Sequence, residues 1–166
     1  MPLSSLPYTA EELELMLENL KRQAALEGLD FSGQSLEGGL IPNTHRALVV
    51  GTWAQEEHPD RFEALHSALF ESHFARGENL NEMTVLRRAV ETAGLDAAEM
   101  DEVLESGRYD ELLERTSAEA RRMSITGVPA FLFDGRFVVM GAQPIPALEG
   151  AIERALSDGI PKPITQ

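Results

Sequence analysis

Residues 125–144 read ITGVPAFLFDGRFVVMGAQP, and the interpretation of the whole chain depends on this stretch. It contains two short apolar runs, 130–133 and 137–140, with the length and composition of β-strands. Asp134 and Gly135 lie between them, and this dipeptide is typical of a hairpin turn that needs positive φ. The stretch therefore predicts a β-hairpin whose strands are apolar on both faces.

On both sides of this hairpin the sequence predicts helices. Pro144 and Pro146 start a last helix that carries Leu148, Ile152 and Leu156, and the residues after it read as a tail. Six more helices are predicted before the hairpin, separated by capping residues and by a Gly- and Ser-rich loop over 29–40. The first helix is predicted to start at Thr9 with Glu12 and to end at Gly28, and the second to start at Asn43 and to end at His58-Pro59. The third runs from about 60 to 76 and ends before Gly77, and the fourth starts at Asn81 and ends at Gly94. The fifth starts at Asp96 with Glu99 and ends at Gly107, and the sixth runs from about 109 to 123.

The predicted fold class is α/β with a large excess of helix. A lone two-stranded hairpin is marginally stable in water, and strands that are apolar on both faces usually lie inside a larger sheet. The rest of the chain offers no other convincing strand. Either the helices wrap the hairpin, or further strands come from elsewhere.

Four segments together resemble one family of proteins. Segments 127–131, 134–135 and 141–144 read GVPAF, DG and GAQP, and segment 43–47 reads NTHRA. In this order and spacing they resemble DsbA-like thioredoxin-fold proteins, in the branch of FrnE-type oxidoreductases and hydroxychromene carboxylate isomerases. The resemblance extends from about residue 9 to residue 156.

This resemblance implies a partial thioredoxin fold with a helical insertion. Residues 1–124 would form the DsbA-like helical insertion domain, and 125–166 the C-terminal part of the thioredoxin-like domain. In the family the proline matching Pro129 is cis and faces the active-site cysteines. Gly127, Val128 and Pro129 would then bind a peptide, a protein thiol substrate or glutathione. From the residue pattern alone, Pro129 is equally explained as a turn at the entry to a strand.

The chain departs from the family in the part that carries its chemistry. Members open with a strand, a Cys-x-x-Cys motif at a helix N-terminus and a second strand, whereas this sequence has no cysteine and begins where the insertion begins. Without a thiolate there is no nucleophile for disulfide exchange, so we assign no catalytic residue. The strand over 130–133 would lack its family partner, and we expect a homodimer to cover that edge.

Three functions follow from these observations. The family activity is protein-disulfide oxidoreduction, but this chain is expected to be inactive in thiol exchange. The second hypothesis is a non-catalytic module that binds a peptide or partner protein in the groove beside Pro129. The third is a relative of the glutathione-dependent isomerases. Whether the chain is an enzyme is therefore left open.

The composition limits which binding partners and which cellular location we expect. The 28 acidic and 14 basic residues give a net charge of -14, which would repel nucleic acid. No apolar run approaches the roughly 20 residues that a membrane-spanning helix requires. The N-terminus lacks the pattern of a secretory signal, so we expect a soluble cytoplasmic protein.

The remaining candidate residues favour structural roles. His66 and His73 could share a face of one helix, but with His45 and His58 they are better explained as core-edge or solvated side chains than as metal ligands. Arg46 and Arg136 could meet a carboxylate ligand, although surface ion pairs are the simpler interpretation. Trp53, Phe62, Phe70 and Phe74 are predicted to be core. No metal and no cofactor is expected.

Overall fold

A computed structural model describes residues 8–35 and 43–157 of the chain. Within these ranges the predicted class is confirmed, because helices dominate and a hairpin followed by a last helix closes the chain. Part of the loop predicted over 29–40 and the predicted tail lie outside the described residues. The elements are α1 (Ala10–Leu26), α2 (His45–Glu57), α3 (Pro59–Phe70), a π-helical turn (Glu71–Ala75), α4 (Met83–Thr92), α5 (Ala97–Ser106), α6 (Asp110–Arg122), β1 (Ala130–Phe133), β2 (Phe137–Met140) and α7 (Ile145–Ser157).

The chain divides into two compact units, Met1–Leu113 and Glu114–Gln166. The division falls inside α6, whereas the sequence led us to place a domain boundary after residue 124. The predicted boundary separates the two domains of the family fold, whereas the observed one separates compact units. The predicted boundary therefore stays a prediction.

The unit Met1–Leu113 has a well-packed apolar core. Trp53, Leu65, Leu86 and Met100 are fully buried there. α2 packs against α3 and α5, and α4 packs against α3 and α5, so four helices enclose these side chains. The predicted core position of Trp53 is therefore confirmed.

Two predicted helix starts are confirmed, the first with its full capping box and the second with the Asp96 cap alone. Thr9 and Glu12 form a reciprocal capping box at the start of α1, with the Thr9 side chain accepting from the Glu12 amide. Asp96 caps α5, and its carboxylate accepts from the Ala98 amide at 2.8 Å. Such bonds satisfy amide groups that the first turn of a helix leaves without partners.

Two other predicted caps are wrong by one residue. Thr44 rather than Asn43 precedes α2, and Glu82 rather than Asn81 precedes α4, in neither case with a side-chain cap. The Asn43 side chain instead accepts from the His45 amide at 2.9 Å. Asparagine stabilises turns as readily as helix starts, so its presence did not fix the first helical residue.

The third helix differs most from its prediction. A single helix was expected from about residue 60 to 76, but α3 ends at Phe70 and continues as the π-helical turn Glu71–Ala75. The Arg76 amide reaches back to the Glu71 carbonyl at 3.0 Å, and the Arg76 guanidinium donates to Ser72, a fully buried hydroxyl, at 2.6 Å. The extra residue per turn rotates the following side chains around the helix axis.

The hairpin in the unit Glu114–Gln166 has the predicted turn. β1 and β2 pair antiparallel with Phe133 opposite Phe137, and Asp134 and Gly135 both have positive φ, 50° and 66°. Among the described residues the sheet has only these two strands, so the other edge of β1 has no strand partner there. The strand side chains are half-buried or exposed rather than enclosed.

The last helix covers little of its apolar face. Ala151 is its one buried residue, whereas Ile152 and Leu156 of the predicted inward face are 48% and 78% exposed. A two-stranded sheet is too narrow to cover a helix of this length. The predicted apolar stripe on α7 exists, but within the described chain it is not core.

Candidate functional site

The predicted site residues Gly127, Val128 and Pro129 form the loop that leads from α6 into β1. α6 ends in a turn in which the Ile125 amide reaches the Ala120 carbonyl at 2.9 Å. The peptide bond between Val128 and Pro129 is cis. We refer to residues 127–129 as the cis-Pro loop.

The cis-Pro loop is held at one end and open at the other. The Pro129 carbonyl accepts from the Gly141 amide at 2.8 Å, which fixes the start of β1 against the end of β2. Val128 is 93% exposed as a residue, and a Cβ added to Gly127 would meet no heavy atom of the described chain within 4 Å. The backbone at 127–128 is therefore accessible to another polypeptide.

The segment GAQP closes the hairpin beside this loop. Gly141 has a φ of 82°, and the Gln143 side-chain amide donates to the Met140 carbonyl at 2.8 Å. The Pro144 carbonyl accepts from the Ala147 amide in the first turn of α7. This segment thus turns the chain from β2 into α7 and fixes the strand end that holds Pro129.

The two candidate arginines already have partners inside the chain. Arg136 lies 3.2 Å from the Asp134 carboxylate and donates to the Ala155 carbonyl, so it joins the hairpin turn to α7. Arg46 donates to the Asn81 carbonyl at 2.8 Å. Both contacts favour the structural interpretation.

The four histidines do not form a metal centre. Within the described ranges there is no group of three or more histidine, cysteine, aspartate or glutamate side chains able to hold a metal. His45 lies 3.0 Å from Asp110, and His58 lies 3.3 Å from Glu99, which also accepts from the Trp53 indole. His66 and His73, by contrast, both line a groove in the unit Met1–Leu113.

Sequence analysis missed this groove. Phe70, predicted to be core, is 51% exposed, and it lines the groove together with Phe62 and Phe74. The signal was present in the spacing of aromatic rings at 62, 66, 70 and 74. Ordinary helical periodicity assigned that stripe to the core, because the sequence does not show which side of a helix remains uncovered.

Comparison with known proteins identifies the family. Residues 1–153 match the model of the DSBA-like thioredoxin domain, and the chain belongs to that family. It is also similar to the crystal structure of a probable DsbA oxidoreductase from Streptomyces coelicolor, at 28% sequence identity and a TM-score of 0.78. The match covers 100% of this chain and 72% of that one. No curated protein is matched by the sequence.

The predicted family and the DsbA-like thioredoxin fold, α/β with a large excess of helix, are thereby confirmed. The FrnE and isomerase branch within the family stays a prediction. The chain nevertheless contains no cysteine. Among residues 8–35 and 43–157 no helix is long and apolar enough to cross a membrane.

Proposed function

We propose that this chain is a non-catalytic member of the DsbA-like family that binds extended polypeptide at the cis-Pro loop. The observation that carries this proposal is the exposed backbone at 127–128, held in place by the Pro129–Gly141 hydrogen bond. Main-chain groups fixed in an accessible segment can pair with a peptide whatever its sequence.

Because the chain has no cysteine, it can bind a polypeptide but cannot exchange its disulfides. Disulfide exchange requires attack by a thiolate through a mixed disulfide, and no residue of this chain can form one. The chain therefore holds the polypeptide without changing its thiols.

The binding test uses reduced, carboxymethylated insulin B chain, an unfolded polypeptide without free thiols. We expect saturable binding, measured by fluorescence anisotropy of the labelled B chain. Val128→Ala removes only the exposed side chain and should bind like the wild type. Val128→Pro also removes the backbone N–H of residue 128 and should weaken binding about tenfold or more.

A second measurement keeps the test independent of how Val128→Pro folds. A B-chain peptide that is N-methylated at alternate residues cannot donate hydrogen bonds from one of its edges. Of the two possible methylated registers, one should lose binding to the wild-type chain. Equal binding of both registers and of the unmodified peptide would contradict main-chain pairing.

A glutathione-binding measurement distinguishes the isomerase alternative from the polypeptide-binding module. Titration calorimetry of the chain with glutathione is expected to show no binding at millimolar concentration. Saturable binding would favour the isomerase relatives over the polypeptide-binding module.

A further inference from the structure

The unit Met1–Leu113 contains a groove of about 550 Å³ between α2 and the helical segment formed by α3 and the π-helical turn. That volume lies in the range of about 300–1,000 Å³ typical of small-molecule sites. We call it the α2–α3 groove. Its lining comes mainly from these elements and includes Gly51, Thr52, Gln55, Phe62, His66 and Phe70.

One wall of the α2–α3 groove is a continuous row of aromatic rings. Ring centroids are 5.6 Å apart between Phe62 and His66, 4.4 Å between His66 and Phe70, and 5.4 Å between Phe70 and Phe74. Phe31 extends the row by stacking on Phe74 at 4.5 Å. Such a row offers π faces and edges on which a planar ring stacks or packs edge-on.

The groove also differs from the rest of the chain in charge. The chain has 28 acidic residues, but no Asp, Glu, Lys or Arg lines the groove. Its polar groups are hydroxyls, one amide and the two imidazoles of His66 and His73, all of which both donate and accept as neutral groups. The Thr52 hydroxyl donates to the Leu48 carbonyl at 2.9 Å and keeps its lone pairs for an incoming donor.

His73 contributes a polar atom that the protein leaves unsatisfied. Its Nδ1 is buried and has no hydrogen-bond partner among the described residues. A buried polar atom without a partner destabilises the fold. Because that atom has almost no accessible surface, the polar groups that a ligand hydroxyl can meet are the other hydroxyl, amide and imidazole groups of the lining.

Gly51 adds open space to the α2–α3 groove. Gly51 lies inside α2, where glycine is less favourable than alanine. A Cβ at this position would meet no heavy atom of the described chain within 4 Å, so internal packing does not require glycine. Because Gly51 lines the groove, its missing side chain adds space only for something from outside.

We propose that the α2–α3 groove binds a neutral, planar aromatic compound of one or two rings that carries a hydroxyl group. The ring packs on the row of Phe62, Phe70 and Phe74, and the hydroxyl meets the polar groups of the groove. The net charge of -14 disfavours an anionic ligand, and the absence of carboxylates from the lining disfavours a cationic one. This inference does not depend on polypeptide binding at the cis-Pro loop.

The test compares three bicyclic compounds of similar size by titration calorimetry on the full chain. These are 2-naphthol, its saturated analogue decahydro-2-naphthol, and the anion 2-naphthoate. We expect saturable binding of 2-naphthol, with the other two compounds weaker by about tenfold. Absence of saturable 2-naphthol binding, or equal binding of either analogue, would overturn the proposal.

Variants then locate the site. Gly51→Leu adds a side chain at a position that lines the groove, where the Cβ itself meets no heavy atom of the described chain within 4 Å, and it should weaken 2-naphthol binding about tenfold or more; Gly51→Ala should change binding far less. Phe70→Leu removes one half-exposed ring from the row, so the fold is kept, and it should also weaken binding. Unchanged affinity in both Gly51→Leu and Phe70→Leu would show that 2-naphthol binds elsewhere and would contradict the assignment.

Discussion

At the scale of single residues, charge is concentrated beyond the π-helical turn. Glu78 is 25% exposed in its side chain and lies 3.0 Å from Arg76, and it also accepts a hydrogen bond from Arg88. Partial burial opposes the charged form of Glu78, but the bonds from the two arginines outweigh it and lower the pKa of Glu78 below 4.5. The same contact with Glu78, more than any other, raises the pKa of Arg76.

This gives a prediction about pH. A carboxylate whose pKa is lower in the folded chain stabilises the fold above its unfolded pKa, and that stability is lost as pH falls through the folded pKa. Glu78→Gln should therefore be less stable than the wild type near neutral pH, and the difference should shrink below pH 4.5. Urea denaturation of both proteins across this range measures it. The exposed Glu102→Gln provides the control, and a difference for Glu78→Gln that does not change with pH would contradict the assignment.

The residue types predicted some of the side-chain contacts in this chain but not others. Thr9 and Asp96 favour helix starts, and Asp134-Gly135 favours a hairpin turn. Because these preferences are local, the sequence predicted their roles. Glu99 was expected to complete a capping box, but it accepts instead from Trp53 and His58, which lie 46 and 41 residues away. Contacts over such distances depend on how helices pack, which local pattern does not encode.

At the scale of elements, α1 and the loop after it depend on a close backbone contact. A Cβ on Gly33 would lie 2.1 Å from the Gly77 nitrogen, so neither glycine can accept a side chain without movement. Phe31 stacks on Phe74 beside this contact, and the Gln34 amide donates to the His73 carbonyl at 2.6 Å. These contacts attach the loop over 27–35 to the π-helical turn.

Gly33→Ala should therefore release the loop from the π-helical turn. We expect faster amide hydrogen exchange over residues 29–35 and 71–77, with little change in the buried segments of α4. Gly51→Ala is the matched control, since it adds the same methyl group in open space within a helix and should keep or raise stability. Equal exchange in wild type and Gly33→Ala would show that the contact does not hold the loop.

The elements also show which structural features local sequence patterns predict and which they do not. The helices of the described ranges and the hairpin were predictable because they rest on local periodicity and turn chemistry, whereas the family followed from a resemblance of short segments. The π-helical turn and the exposed face of α3 were not predictable, because both depend on which side of the helix remains without a neighbour. Phe70 therefore looked like core in the sequence and is half-exposed in the fold.

At the scale of the whole molecule, the apolar hairpin has an open edge. Within the described residues β1 pairs only with β2, while Phe131 and Leu132 are 36% and 44% exposed. An uncovered apolar strand favours association. We propose that a second copy of the chain covers this edge.

Light scattering at micromolar concentration is expected to give the mass of a dimer. Leu132→Lys places a charge on β1 and should give a monomer, because burying an unpaired charge opposes association. Leu26→Lys, at an 82% exposed position on α1, should remain dimeric. A monomeric wild type would contradict the proposed dimer.

Insulin reduction tests the central claim most directly. The claim is that this chain keeps the DsbA-like fold and its cis-Pro loop while performing no thiol exchange. The rate at which dithiothreitol cleaves the insulin disulfides, followed as released thiols, should be the same with and without the chain. A rate above that of dithiothreitol alone would show catalysis by a chain without cysteine and would contradict the account.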